Sequence, residues 1–140
     1  MKIAVTVDKP ERTAPLSDFF GRCGYILIHD MEKGNEEFIS NPFATELGGA
    51  GIQLAKLLIE NNIDVVIVKK IGLNPFRFVT SAKIKVYQCS EGTADEALRL
   101  FSEGKLFLME NIDKSISLGR KHRRRGKQFL DNMYKNSKKE

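Results

Sequence analysis

The 140-residue sequence holds only two cysteines, Cys23 and Cys89, too few for a disulfide framework, and a reducing cytosol keeps such a pair as thiols. It has no Cys-x-x-Cys and no paired-histidine spacing, which argues against a self-contained zinc site. Long apolar runs are missing too. None approaches the roughly 18 residues of a membrane span, and the opening Met1-Lys2 lacks the apolar stretch and small-residue cleavage site of a secretory signal. A soluble, cytoplasmic protein is expected. Apolar residues still make up 41% of the chain and charged ones 29%, the balance of a folding domain rather than a disordered one. A chain of this length buries enough surface for one self-sufficient core.

An excess of either charge is also absent from most of the chain. Residues 1–118 carry 14 Lys/Arg against 16 Asp/Glu, whereas residues 119–140 carry 9 against 2, so the net charge of +5 originates in a tail. The expected organisation is an α/β domain over residues 1–108 and a basic extension over 109–140, partly helical or disordered. Gly119 to Lys127 is a block of like charge that repels itself, while Phe129, Leu130, Met133 and Tyr134 suit a short amphipathic helix docking on the domain or on a partner.

Lys2 to Asp8 and Tyr25 to Asp30 are nearly continuous apolar runs, as central strands covered on both faces are. The Lys9–Gly24 segment between them is long for a connection, which marks it as functional or mobile. A turn at Glu32-Lys33-Gly34-Asn35 leads into Glu36 to Ser40, a polar strand suited to a sheet edge. Ile52, Ala55, Leu58 and Ile59 recur at helical spacing over Ala50 to Asn61, and Ile63 to Val68 has the character of a buried parallel strand. Asn74-Pro75 suits a helix start, with Asn74 capping and Phe76, Val79 and Ala82 inward. Lys83 to Tyr87 alternates as a fifth strand, and Thr93-Ala-Asp-Glu96 is a capping box for a third helix that stops at Gly104. The order β-β-β-α-β-α-β-α describes a five-stranded mixed sheet flanked by helices.

Three glycine-bearing loops could carry chemistry. Gly48-Gly49-Ala50-Gly51 enters a helix, where free amides and the helix dipole converge on an anion; the same residues suit a tight turn that packs a helix on a strand. Gly21-Arg22-Cys23 pairs a permanent cation with a thiol that it would help to ionise, and thiolate is the form that binds soft metals; Cys23 equally suits a small buried hydrophobe. Gly72 and Asn74 mark a third glycine just before a helix, where plain capping is the simpler explanation. In such a sheet, loops following parallel strands gather at one end, which makes a single lined cleft more plausible than three coincidences.

At these residues the chain resembles the dinitrogenase iron–molybdenum cofactor biosynthesis family, over residues 1 to about 107. The resemblance rests on Lys2–Asp8, on Phe-Gly-Arg-Cys23 before a strand ending in Asp30, on Asn41-Pro42, on Gly-Gly-Ala-Gly-Ile-Gln53, on Asp64-Val-Val-Ile, on Ile-Gly-x-Asn74, on Ile-Lys-Val-Tyr87 and on Gly-Thr-x-x-Glu-Ala97. It implies a ribonuclease H-like fold and a protein of nitrogen fixation and metallocofactor assembly that binds or carries an iron–molybdenum cofactor or related anionic metal–sulfur cluster without being an enzyme. The implied receptor is Gly21, Arg22, Cys23, Asn41, Gly48, Gly49, Ala50, Gly51, Gly72 and Asn74, with cofactor-assembly or acceptor proteins as partners. Relatives often carry His where this chain has Phe19 and Leu47, which leaves Cys23 as the candidate metal ligand.

A nuclease and an interaction module are the alternatives. A nuclease needs clustered carboxylates, but the strand ending in Lys69-Lys70 and a helix whose only acid is Glu60 do not supply them around Asp8. A regulatory or interaction module would use the basic tail, whose Arg120 to Lys127 has no interleaved aromatic and suits sequence-independent contact with nucleic acid or an acidic protein. His29, alone in an apolar strand, fits a satisfied core histidine.

Overall fold

The structure, a computed structural model, describes residues 1–110; the basic block and the amphipathic segment of the tail lie outside the described residues. β1 (Lys2–Val7) is central because both of its faces are apolar. Ile3, Val5 and Val7 enter one core cluster and Ala4 the other, the alternation that a pleated strand imposes. β2 (Tyr25–Asp30) pairs with it antiparallel, Lys2 opposite Asp30, and β3 (Glu36–Ser40) pairs antiparallel with β2. Their hairpin is closed by Gly34 at φ 73° and by Asp30, whose carboxylate accepts from the amides of Glu32 and Lys33. β4 (Val65–Val68) and β5 (Lys85–Gln88) add on the other side of β1, both parallel to it.

The expected five-stranded sheet has a sixth member. β6 (Phe107–Met109) pairs antiparallel with β5, Met109 opposite Val86, and the order is β3-β2-β1-β4-β5-β6. Met109 therefore belongs to the sheet, one residue past the expected domain boundary. Three residues are too few for a sequence period to register, and only pairing along the β5 edge makes them a strand.

α1 (Ala50–Glu60) and α2 (Leu73–Ser81) pack on one face, with Leu54, Ala55, Leu58, Phe76 and Val79 buried in the same cluster as Val66 and Val68. Ala82 was expected on the inner face of α2 but is exposed at its C-terminal cap. α3 (Ala94–Ser102) covers the opposite face through Ala94, Ala97 and Leu98. Its capping box forms as expected, since Thr93 Oγ1 accepts from the Glu96 amide at 3.2 Å and the Thr93 amide donates to the Glu96 carboxylate at 3.0 Å. No helix among the described residues is long and apolar enough to cross a membrane.

Candidate anion-binding site

The long segment after β1 crosses the end of the sheet. Leu16 packs in the α3-side cluster and Phe20 in the α1/α2-side cluster, so the residues between them must arch over the C-terminal ends of β1 and β4. Four contacts hold the arch. The Ser17 amide donates to Thr6 O at 3.0 Å, and the Ser17 hydroxyl donates to the Asp8 carboxylate at 2.8 Å. The Phe20 amide donates to Lys70 O at 3.0 Å, and Lys69 pairs with Asp18 at 3.0 Å. The arch ends in a single 3-10 turn, Phe20–Arg22, pressed against the start of α1.

That contact is made backbone to backbone. A methyl group on Gly21 would lie 2.6 Å from Gly51 N and 2.8 Å from Gly51 Cα, and one on Gly51 would overlap the ring of Pro75 in α2. The glycine turns at Gly21 and Gly51 and the start of α2 thus meet, and Gly21 and Gly51 are glycines because chain segments abut there.

What stays open lies beside this joint. Nothing comes within 4 Å of where a side chain would project from Gly48 or Gly49. Gly49, at φ 76°, is the N-cap of α1, and extended Gly72 is the N-cap of α2; neither helix start has a side-chain cap. Asn74, expected to cap α2, is instead its second residue and is exposed. Two neighbouring helices, touching through Gly51 and Pro75, thus present free N–H groups and the positive ends of their dipoles at one end of the sheet. Ala50, the first residue of α1, is buried, so that turn offers backbone rather than side chain.

The structure corrects the roles expected of Arg22, Cys23 and Asn41. Arg22 does not ionise Cys23: its guanidinium donates to Ala44 O at 3.0 Å and to Glu46 O, bracing the loop that leads to Gly48. The Cys23 side chain is fully buried in the α1/α2-side core. Burial pushes its thiol up to about 12; a hydrogen bond from Asn41 opposes that and the charge of Asp8 adds to it. The thiol thus sits among core side chains, away from solvent. Asn41 is buried and fully engaged. Its side-chain amide donates to Gly21 O at 3.1 Å and Cys23 O at 2.9 Å, while its oxygen accepts from the Phe43 amide at 3.0 Å. It ties the glycine turn to β3 rather than facing a ligand. Among the described residues no group of three His, Cys, Asp or Glu is arranged to hold a metal ion.

The family model for the dinitrogenase iron-molybdenum cofactor matches residues 1–104. The chain belongs to that family. An uncharacterised protein of Methanocaldococcus jannaschii is 34% identical over 109 residues, spanning 76% of this chain and 89% of the relative. The apo form of the orange protein from Desulfovibrio gigas has the same fold at TM-score 0.76 and 28% identity, over 81% of this chain and 96% of that one. A NifB-type Thermotoga protein superposes at TM-score 0.72 and 29% identity, over 80% and 96%. In this family member the site is rimmed by apolar side chains. Phe19 is 57% exposed and Leu47 fully so, and the ammonium of Lys70 stands 5.4 Å from the Phe19 ring. Sequence reading missed Pro75 as the residue joining α1 to α2, and missed Lys69 and Lys70 as the cations of the arch. The only signal was their position after a buried strand, where loops of this sheet gather.

Proposed function

We propose that this domain binds and carries an anionic metal–sulfur cluster of the iron–molybdenum type as cargo, without turning it over. The observation that carries the reading is the pair of adjacent, uncapped helix N-termini at Gly49 and Gly72. Sulfides at the surface of such a cluster accept hydrogen bonds, and free backbone amides backed by helix dipoles supply donors without desolvating a second charge. Glycine at 48 and 49 leaves room for a bulky ligand to reach those amides. Arg22 holds the 44–49 loop in place, and Lys70, with no carboxylate partner among the described residues, adds positive potential nearby. The donor set fits an anion held by hydrogen bonds and charge, and does not fit direct coordination through Cys23. The expected set thus narrows to Gly48, Gly49, Ala50, Gly72 and Asn74 as the face toward cargo, with Gly21, Arg22, Cys23, Asn41 and Gly51 as its support. The order β3-β2-β1-β4-β5 with β2 antiparallel also supports the label ribonuclease H-like for the core of the sheet.

Anaerobic reconstitution with iron, molybdate and sulfide, followed by desalting and metal analysis, tests the reading. Retained metal is expected in the parent chain and in Cys23→Ser, and its loss in Gly49→Val, where a branched side chain meets a left-handed backbone and blocks the amides. No retained metal in the folded parent, or full retention in Gly49→Val, refutes it.

A further inference from the structure

On the face opposite α1 and α2 the described residues place one helix, and beside it an open cavity of about 300 Å³ runs between α3 and β2, at the lower end of small-ligand sites. Its floor is apolar: Ile3 is buried, Leu98 nearly so, and Phe101 is held edge-on by Tyr87 with ring centroids 5.0 Å apart. The polar groups around it are unequally committed. Arg12 is clamped between two carboxylates, Glu36 at 3.1 Å and Asp95 at 2.7 Å, so it has no charge left for a ligand. His29 Nδ1 shares Glu36 at 2.8 Å, and its Nε2 has no hydrogen-bond partner among the described residues. Among the described residues the Arg99 guanidinium reaches only Glu103, at a long 3.4 Å, and Glu103 also serves Lys105 at 3.2 Å.

One weakly engaged guanidinium over an apolar floor, with a free imidazole nitrogen at the far side, defines the ligand class. We propose that this cavity binds a small aromatic monocarboxylate. The ring lies on Ile3, Leu98 and Phe101, the carboxylate replaces Glu103 on Arg99, and a polar ring substituent meets His29 Nε2. Bidentate guanidinium–carboxylate pairing favours a planar anion of single charge. A tetrahedral anion such as phosphate is disfavoured, because it has no flat apolar body to cover Ile3, Leu98 and Phe101. The site is independent of the cluster reading, since it lies on the other face of the sheet.

The test is a methyl NMR titration of the full chain with benzoate, benzamide and inorganic phosphate, read at Ile3, Met31 and Leu98. Saturable benzoate shifts with a Kd of about 1 mM are expected for a ligand of this size. Benzamide, and benzoate with Arg99→Gln, should bind about tenfold more weakly, as loss of a charge-assisted pair implies. Arg99 is exposed, so the variant keeps the fold. Absence of saturable shifts, undiminished benzoate binding by Arg99→Gln, or phosphate binding as tight as benzoate overturns the proposal.

Discussion

Substituting Gly21 with alanine tests whether the three loops are joined as described. The added methyl meets main-chain atoms only, Gly51 N at 2.6 Å, Gly51 Cα at 2.8 Å and Ala50 C at 3.1 Å, so no side chain can turn aside to relieve it. Either the 3-10 turn lifts from α1 or α1 shifts against Pro75, and overpacking of this kind costs about 1–3 kcal/mol. Gly48→Ala is the matched control, because nothing lies within 4 Å of its new methyl and its backbone is not left-handed. It should fall within about 0.5 kcal/mol of the parent. Urea unfolding of the full chain measures both, and each kcal/mol corresponds to roughly 4 °C in Tm for a domain near this size. If Gly21→Ala is as stable as Gly48→Ala, the turn does not abut α1, and the argument that Gly21 and Gly51 serve packing rather than cargo fails with it.

Cys23→Ser places a hydroxyl in a fully buried pocket and should cost about 1–2 kcal/mol by denaturant unfolding while leaving metal retention unchanged; a selective loss of metal would restore the thiolate ligand. The folded chain holds the Cys23 proton up to about pH 12 whereas the unfolded thiol titrates at 9.0, so stability is complete below pH 9 and is lost as pH rises toward 12, by about 1.4 kcal/mol per unit. Cys89, also raised by burial, adds in the same direction, and comparing urea midpoints near neutral and alkaline pH should show a shallower decline in Cys23→Ala than in the parent. Thr93→Ala removes the side-chain half of the α3 capping box, the bond that Thr93 Oγ1 accepts from the Glu96 amide, and should lower stability by about 1 kcal/mol in the same assay, without affecting metal retention.

Features carried by adjacent residues were legible before any coordinates. The both-sided apolar runs of β1, β2 and β4 reveal central strands, the polarity of Glu36–Ser40 places β3 at an edge, and Thr93 with Glu96 marks the start of α3, because each depends on periodicity or on bonds that span a few residues. What depends on distant segments meeting was not. The chemistry of Cys23 follows from its burial in the α1/α2-side core, which the hydrogen bond from Asn41 only partly offsets, so the neighbouring Arg22, which sequence alone makes its activator, does not govern its ionisation once the guanidinium is spent on Ala44 and Glu46. Gly21 and Gly51 look like ligand-binding glycines in sequence, but the close approach of the Gly21 turn to the α1 backbone and of α1 to the Pro75 ring accounts for them. The local pattern determined which residues form helices and strands. The tertiary structure decided which of the glycines open onto solvent, because burial and contact are properties of the assembled chain.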